Sequence, residues 1–224
     1  MKTVVVSIGG SVVLSEEADV SFLKNLTSLF RTMSNDYKLF VIVGGGKIAR
    51  RYIQLGRELG FDEDTLDQIG IDVTRVNARI ITNLLGVSNK EIPHTTSDAL
   101  KLDSPIVVMG GTDPRHSTDL VGAELAEKTH ALRFVNATNV DGIYDKDPNK
   151  FKDARQLKSV SIDQLIETYG TKWGTAGKNI FMDEPALEII KRARIPTCVV
   201  NGKRLDQLER AMSGQPFDGT TILV

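Results

Sequence analysis

The chain has 224 residues, of which 41% are hydrophobic and 25% are charged, and its formal net charge is -1. This length is sufficient for one α/β domain with a real core, and the composition is that of an ordinary globular protein. The charge balance lacks the basic excess typical of nucleic-acid binding, and no apolar run approaches the roughly 18 residues of a membrane span. We therefore expect neither a nucleic-acid partner nor a membrane partner.

The single cysteine, Cys198, cannot form an intrachain disulfide and gives no metal-site spacing. It lies within the apolar run 196–200, so we predict that it is a buried strand residue. The amino terminus runs from Met1 directly into a strand-like segment and lacks the architecture of a signal peptide. Together these features predict a protein of the reducing cytoplasm.

Short apolar runs alternate with helical patterns, which predicts a mostly parallel sheet wrapped by helices in a single α/β unit. The predicted strands are 4–8, 39–43, 105–109, 132–137, 197–200 and 220–224. The predicted helices are 20–33, 47–59, about 63–85, 118–128 and 205–212, with two further helices that begin at a capping box over 161–164 and at Asp183-Glu184-Pro185.

Two of the predicted helices carry apolar stripes. In helix 47–59 the stripe, which we expect to face the core, is formed by Ile48, Tyr52, Leu55 and Leu59. In the helix that follows a predicted cap at Asp62, the stripe is formed by Leu66, Ile69, Val73, Val76 and Ile80. This second stripe is longer than one small core usually requires, so the helix either lies inside the core or faces a partner subunit.

Three glycine-rich turns follow three predicted strands. They are Gly9-Gly10-Ser11, Gly44-Gly45-Gly46-Lys47 and Gly110-Gly111-Thr112. Glycine lets backbone N–H groups approach an anion, and a helix that begins after such a turn adds its positive end. Because ligands of parallel sheets collect at the carboxyl ends of the strands, the three turns together predict a site for several phosphates. None of them has the Walker A or the dinucleotide-binding pattern.

Basic residues follow the second glycine turn, where a phosphoryl transfer would need cations. Lys47, Arg50 and Arg51 lie on the first turns of helix 47–59. A lysine next to a helix N-terminus is unfavourable with the helix dipole unless an anion binds there. These residues therefore either contact phosphate or form a solvated polar face.

The segment after the third glycine turn combines hydroxyl donors with a carboxylate. Ser117 and Thr118 could donate to a phosphate, and Asp119 could hold a magnesium-bound water or orient a lysine. The same residue types are also typical of a helix N-cap. His116 is not required as a base, because a phosphate monoester is already largely ionised at neutral pH.

These residues, taken together, resemble a known family. The succession Ile8-Gly9-Gly10-Ser11, Val43-Gly44-Gly45-Gly46-Lys47-Ile48-Ala49-Arg50, Met109-Gly110-Gly111-Thr112 and Ala137-Thr138-Asn139-Val140-Asp141-Gly142-Ile143-Tyr144, with Asp147-Pro148, resembles the amino-acid-kinase fold. The stretch from Asp67 to Asn77 is similar to the archaeal-type uridylate kinases within it. The resemblance implies a three-layer αβα sandwich, with an acceptor half over 1–135 and an ATP half over 136–224.

The resemblance also implies transfer of a phosphoryl group from Mg2+-bound ATP to UMP. The catalytic residues would be Lys47 and Asp119, with no direct protein ligand to the metal. The residues on the UMP side would be Gly45, Asp67, Thr112, Asp113, Pro114, Arg115, His116, Ser117 and Thr118. The residues on the ATP side would be Gly9, Gly10, Ser11, Gly46, Arg50, Thr138, Asn139, Tyr144 and Asp147. Such kinases are typically hexamers built as a trimer of dimers, which implies a homo-oligomer.

The chain departs from the family pattern at two positions. Many relatives carry a lysine in the first strand, where this chain has Ser7, so the cation for the γ-phosphate must come from elsewhere. Lys47 is the first candidate and Lys178 the second. Arg115 occupies a position where close relatives prefer glycine, and it either adds a phosphate contact or points to solvent.

Two alternative functions remain open on sequence grounds. Isopentenyl phosphate kinase shares the fold and also phosphorylates a phosphate monoester, but that family places a histidine after the second glycine turn, and segment 44–59 contains none. Acid kinases of this fold do not fit the stretch from Asp67 to Asn77. The second alternative is a non-catalytic nucleotide-binding or storage protein, which the absence of a lysine at Ser7 would allow.

Overall fold

A computed structural model describes residues 1–14, 19–146, 148, 150–169 and 182–224. The strands are β1 (Lys2–Ile8), β2 (Tyr37–Val43), β3 (Ile106–Met109), β4 (Arg133–Thr138), β5 (Ser159–Ser161), β6 (Thr197–Asn201) and β7 (Gly219–Leu223). The helices are α1 (Gly10–Val13), α2 (Val20–Met33), α3 (Gly46–Glu58), α4 (Glu63–Leu85), α5 (Thr96–Leu100), α6 (Thr118–Lys128), α7 (Ile162–Tyr169), α8 (Glu184–Ala193) and α9 (Leu205–Ser213).

The strands form one sheet in the order β3-β2-β1-β4-β6-β7-β5, and only the β6–β7 pair is antiparallel among the described strands. The register aligns the ends of the parallel strands. Ile8 pairs with Val43 on one side and with Ala137 on the other, and Ile42 pairs with Met109. The segments that follow β1, β2, β3 and β4 therefore leave the sheet at the same edge, where the predicted glycine turns lie.

The sheet separates two hydrophobic cores, which confirms the predicted three-layer αβα sandwich. Val4 and Val6 point into one core, together with side chains of α2 and α9, whereas Val5 points into the other, with side chains of α6 and α8. This alternation follows from the two-residue period of a strand. Buried strands of a parallel sheet read as continuous apolar runs because helices cover both faces. None of the described helices has the length and apolar character needed to cross a membrane.

Every predicted strand and helix is present, with ends that agree within about two residues. The cap at Asp62 is confirmed by its side chain, which accepts a hydrogen bond from the Thr65 N–H at 2.8 Å. The capping box at α7 is also confirmed, since Ser161 and Gln164 exchange side-chain-to-backbone hydrogen bonds. Cys198 is buried, as predicted. The sequence patterns missed the short elements α1, α5 and β5.

The predicted buried face of α3 is wrong. Tyr52, Leu55 and Leu59 are 50%, 52% and 64% exposed, and Ile48 is only partly buried. The face that packs is formed by small and β-branched residues, namely Ala49, Ile53 and Gly56. A Cβ added at Gly56 would lie 2.6 Å from Leu66 of α4, so α3 approaches α4 too closely for large side chains at the contact.

The long apolar stripe of α4 is partly in the core and partly exposed, so both alternatives for this helix, core packing and a face for a partner subunit, apply to some of its residues. Leu66 and Val73 are buried in the protein, whereas Val76 and Ile80 are 60% and 38% exposed. The exposed residues of α3 and α4 leave large apolar side chains facing solvent on both helices. We refer to Tyr52, Leu55, Leu59, Val76 and Ile80 as the outer apolar face.

Candidate active site

The first and second glycine turns are in direct backbone contact. A Cβ added at Gly10 would lie 2.3 Å from the nitrogen of Gly46 and 2.4 Å from the oxygen of Gly44, so a larger residue does not fit at Gly10. Gly46 itself has φ 67°, which also favours glycine. The turns that end β1 and β2 therefore form one continuous backbone surface.

The third glycine turn is joined to the second by α4. A Cβ added at Gly110 would lie 2.5 Å from Thr74 Oγ1, and a Cβ added at Gly45 would lie 3.5 Å from Thr74 Cγ2. Thr74 is thus wedged between the turns that follow β2 and β3. The structure brings the three predicted phosphate-binding turns together at one edge of the sheet.

Lys47 and Arg50, the basic residues that follow the second turn, are exposed and lie in the first turns of α3. Arg50 donates a hydrogen bond from Nη2 to Ser11 Oγ at 3.2 Å, which links the first turn to the helix that follows the second. Lys47 is exposed, and within the described part of the chain its ammonium has no hydrogen bond or ion pair. Lys47 is therefore free to meet an anion at the N-terminus of α3.

Ser7 and Asp119 form the centre of the site. Ser7 Oγ donates a hydrogen bond to Asp119 Oδ1 at 2.8 Å, across the carboxyl end of β1 and the first turn of α6. Burial raises the pKa of Asp119 to about 7, with a smaller upward contribution from the nearby Asp183 carboxylate and an opposing one from the Ser7 hydrogen bond. The position where the family resemblance led us to expect a lysine thus holds a neutral donor to this carboxylate.

Asp183 is a site residue that the sequence analysis missed, because its pattern predicted only a helix N-cap. Its side chain does not cap α8 but accepts a hydrogen bond from Ser117 Oγ at 2.7 Å. Burial raises the pKa of Asp183 as well. Asp183 Oδ2 and Asn136 Nδ2 are buried without a hydrogen-bond partner in the described residues, although Asn136 lies close enough to Asp119 to influence its pKa. Buried polar atoms without a protein partner are suited to bind a ligand, because most buried polar groups are hydrogen-bonded.

Asp67 is held by the loop that follows the third turn. The Arg115 N–H donates to Asp67 Oδ2 at 2.8 Å, and the Arg115 guanidinium pairs with Asp64 at 3.0 Å. Burial raises the pKa of Asp67, and the Arg115 N–H opposes this shift. Arg115 has φ 66°, a left-handed conformation that is rare for an arginine and natural for a glycine.

The remaining residues of this loop differ in their burial and contacts. Thr112 is buried, and its Oγ1 lies 3.5 Å from His116 Nδ1. Ser117 is the N-cap of α6, since its Oγ accepts the Leu120 N–H at 2.9 Å, so the N-cap alternative holds for Ser117 and not for Asp119. The other predicted residues are exposed or partly buried along the loop, namely Asp113, Pro114, His116 and Thr118.

The predicted adenosine side lies beyond the end of β4. The first turn joins β4 through the Gly9 N–H, which donates to Ala137 O at 2.9 Å. Thr138 Oγ1 donates to Val140 O at 3.0 Å, and Asn139 is exposed. Tyr144 forms an isolated antiparallel β-bridge with Gln156, and burial raises the pKa of its phenol. Asp147 and the alternative cation Lys178 lie outside the described residues.

Comparison with known proteins defines the class to which this fold and site belong. A sequence model of the amino acid kinase family matches residues 2–201. The chain belongs to the amino acid kinase family.

Within that family the chain is similar to archaeal uridylate kinases. It is 42% identical to the uridylate kinase of Methanothermobacter thermautotrophicus and 41% identical to that of Methanobrevibacter smithii, in both cases over 98% of each chain. The crystal structure of the uridylate kinase from Archaeoglobus fulgidus superposes with a TM-score of 0.87 at 38% identity, over 99% of this chain and 100% of the other. The UMP kinase of Bacillus anthracis, at 20% identity and a TM-score of 0.79, supports the fold alone.

Proposed function

We propose that this chain transfers the γ-phosphoryl group of ATP to the phosphate of UMP, giving ADP and UDP. One structural observation carries the proposal: three glycine turns meet at one sheet edge, beside the partly buried Asp119. Backbone N–H groups at helix N-termini are suited to hold the phosphates of two nucleotides. The similarity to archaeal uridylate kinases supports UMP as the acceptor.

In the proposed reaction, an oxygen of the UMP phosphate attacks the γ-phosphorus of ATP. The bond between that phosphorus and the β,γ-bridging oxygen breaks, and ADP leaves with the bridging oxygen. Because a phosphate monoester has a second pKa of about 6, the nucleophile is already ionised and needs no general base. The work of the protein is therefore to position the two phosphates and to neutralise their charge.

The acceptor side would be formed by the second turn, α4 and the loop after the third turn. Gly45 and the segment 112–118 would hold the UMP phosphate, and Asp67 would bind the ribose hydroxyls. Asp67 accepts one N–H donor among the described residues, which leaves carboxylate oxygen available for a hydroxyl donor. On the ATP side, Gly9, Gly10, Ser11, Gly46 and Arg50 would contact the phosphates, and Thr138, Asn139, Tyr144 and Asp147 would form the adenosine site.

Lys47 is the proposed cation for the transferring phosphoryl group. It has no protein partner in the described residues, and it begins a helix whose positive end would otherwise repel it. Ser7 itself supplies no cation, since its hydroxyl donates a hydrogen bond to Asp119. The charge that develops on the phosphoryl oxygens would therefore be met by Lys47 and by a metal ion.

Mg2+ is the proposed metal, and the residues present fit it. Asp119 and Asp183 supply carboxylate oxygens, which hard cations prefer, and Asp183 Oδ2 lacks a hydrogen-bond partner in the described residues. No cluster of three or more metal-ligating side chains occurs there, so nucleotide phosphates and water would supply the direct ligands, and the carboxylates would hold the ion through water. When bound, the ion would neutralise charge on the β- and γ-phosphates. Asp119 would hold it through water and would then be ionised.

The outer apolar face supports the proposal of a homo-oligomer. Large apolar side chains on two neighbouring helices are the kind of surface that a second copy covers. We propose a hexamer built as a trimer of dimers, with this face buried in the dimer. The proposal also places the enzyme in the cytoplasm, in agreement with the single reduced cysteine.

A coupled assay of ADP release tests the proposed function. The purified chain is incubated with ATP, Mg2+ and one acceptor at a time: UMP, CMP, dUMP and isopentenyl phosphate. We expect release with UMP and little with isopentenyl phosphate. Release with isopentenyl phosphate alone would replace the proposal by the alternative kinase. The absence of release with any acceptor, combined with measurable nucleotide binding, would support a non-catalytic nucleotide-binding protein.

A further inference from the structure

Three neighbouring polar residues of α4, Thr74, Arg75 and Asn77, form hydrogen bonds with the backbones of the second and third glycine turns. Thr74 is buried, and its Oγ1 accepts a hydrogen bond from the Gly111 N–H at 2.7 Å while donating to Ile71 O at 2.6 Å. Arg75 donates to Gly111 O at 3.3 Å and to Thr112 O at 3.1 Å. The third turn is thus attached to α4 through three consecutive peptide groups.

The second turn is attached to the same part of α4 by one buried amide. Asn77, which is only 2% exposed, donates from Nδ2 to Gly44 O at 2.8 Å and to Gly45 O at 3.4 Å. A buried amide normally makes hydrogen bonds, and these carbonyl oxygens satisfy its donors. None of these contacts involves a residue that the sequence motifs assigned to a substrate role, apart from the turns themselves.

The carbonyl contacts determine where the neighbouring N–H groups point. Every described peptide bond is trans, and in a planar trans peptide the C=O and the N–H of the next residue point in opposite directions. Asn77 binds the carbonyls of Gly44 and Gly45, so the N–H groups of Gly45 and Gly46 point away from Asn77. Arg75 binds two carbonyls in the same way, which turns the N–H groups of residues 112 and 113 away from Arg75.

These four N–H groups have no acceptor in the described part of the protein. By contrast, the N–H groups of Gly9, Gly44 and Gly111 are bound to Ala137 O, Ile8 O and Thr74 Oγ1. The turns therefore separate into N–H groups that fix the backbone and N–H groups that remain for an anion. The carbonyl oxygens, which would repel a phosphate, are held against α4 instead.

We propose that Arg75 and Asn77, with Thr74 between them, are positioning residues that turn the free N–H groups of the second and third turns towards the phosphates. The inference rests on the proposed function for the identity of the acceptor, UMP. Arg75 donates to the third turn, which belongs to the acceptor side, and not to the second, and it also pairs with the exposed Asp72 at 3.9 Å. Asn77 contacts the second turn, whose Gly45 and Gly46 are assigned to UMP and ATP respectively. The two side chains should therefore affect the two substrates differently.

The test compares Arg75→Gln with Asn77→Asp. Arg75→Gln loses the two donors to the third turn, and we expect the KM for UMP to rise at least about tenfold while the KM for ATP changes less than about twofold. Asn77→Asp replaces the donor with a carboxylate that repels both carbonyl oxygens, and we expect both KM values to rise. Arg75→Lys, which keeps a charged donor, should recover part of the loss in UMP affinity.

Matched controls are available on the same helix. Arg79→Gln removes an exposed arginine that pairs with Glu91 at 3.0 Å, and Asn83→Asp changes an exposed amide that donates to Arg79 O at 2.7 Å. Both controls should leave the KM values unchanged. The melting temperature of each variant shows whether a change in KM comes from weaker substrate binding or from a less stable fold. If Arg75→Gln lowers only the melting temperature, or raises both KM values equally, Arg75 is a structural residue and the inference is wrong.

Failure of the proposed function would be recognised separately. If the unmodified chain phosphorylates another monoester but not UMP, the function changes and the same comparison of KM values applies to that acceptor. If it transfers no phosphoryl group, calorimetric titration with UMP and with ATP replaces the kinetics. Arg75→Gln must then weaken UMP binding at least about tenfold with ATP binding retained. Equal UMP affinity in Arg75→Gln and in the unmodified chain would overturn the inference. If the Asn77→Asp variant does not fold, the result with Arg75→Gln alone decides whether the inference holds.

Discussion

At the scale of single residues, Lys47 lies in the first turn of α3, and its ammonium has no hydrogen bond or ion pair with the described residues. If it neutralises charge that develops during transfer, Lys47→Ala should lower kcat by about 100-fold or more, with a much smaller change in the KM for ATP. Steady-state kinetics at saturating UMP measure the two effects. Arg51→Ala, at an exposed cation on the same face of the helix, is the control and should stay close to the unmodified enzyme. An unchanged kcat in Lys47→Ala would remove this residue from the mechanism.

Asp67 provides the second prediction at this scale. Its carboxylate receives the Arg115 N–H and is otherwise available for a ribose. Asp67→Asn should raise the KM for UMP by about tenfold or more, because a charged acceptor of two hydroxyl donors is lost, and should leave the KM for ATP nearly constant. Asp64→Asn is the matched control, since it breaks only the exposed ion pair with Arg115. An effect of Asp67→Asn confined to ATP would show that the ribose assignment is wrong.

The raised pKa of Asp119 predicts how stability depends on pH. An unfolded aspartate has a pKa of 3.8, whereas burial raises the pKa of Asp119 to about 7, so the folded chain holds the extra proton between those values. Stability from this group is complete below pH 3.8, falls as pH rises towards about 7, and is constant above it. Urea unfolding across this range should show the decline in the unmodified chain and a flatter profile in Asp119→Asn. Parallel profiles for the two chains would contradict the burial of a protonated carboxyl.

At the scale of elements, the contact between the first two turns allows a test that needs no substrate. Gly10→Ala places a methyl group 2.3 Å from a backbone nitrogen, and we expect a loss of about 2 kcal/mol or more in the free energy of unfolding. Gly9→Ala is the matched control, because its Cβ would meet its nearest neighbour at 3.6 Å. Chemical denaturation of both variants gives the comparison. Equal stability of the two would mean that the turns are not packed against each other.

The same scale shows how far the sequence can be interpreted. Apolar periodicity and caps predicted the strands and the long helices, because burial on both faces of the sheet leaves a strong pattern in segments such as Leu39–Val43. The pattern failed on α3, where large apolar residues lie outside and the packed face depends on the absence of a side chain at Gly56. The hydrophobic pattern shows which side chains are large and apolar. It does not show which neighbouring helix lies close to α3, and that contact decides which face is buried.

The candidate site could be predicted only where a motif is local in the chain. The glycine turns and the loop 112–119 each form a short continuous segment, so their chemistry is visible in the sequence. Asp183 lies 66 residues from Ser117, to which it is hydrogen-bonded, and its sequence context indicates only a helix start. Thr74 and Asn77 form hydrogen bonds with backbone atoms of the glycine turns, and such contacts with a distant backbone leave no characteristic residue spacing in the sequence. These residues become visible only once the chain is folded.

At the scale of the whole molecule, the outer apolar face predicts an assembly. Leu55→Asp places a charge on this face, where burial against a second copy would be costly, and should convert the oligomer into smaller species. Light scattering coupled to size exclusion measures the mass. Gln54→Asp introduces the same charge at the exposed neighbouring position and should keep the mass of the unmodified protein. A Leu55→Asp variant with unchanged mass would place the subunit contact elsewhere.

The burial of Cys198 gives the protein a built-in reporter of its own opening. The thiol lies in β6 between neighbouring strands, and its burial raises its pKa to about 12. Because only the thiolate attacks alkylating reagents, iodoacetamide should modify the native chain hardly at all and the denatured chain readily. Since there is one cysteine in the sequence, each alkylated molecule records a single event in which the centre of the sheet was exposed. Pulsed alkylation followed by mass spectrometry would thus measure how bound nucleotides slow that exposure, without any engineered label.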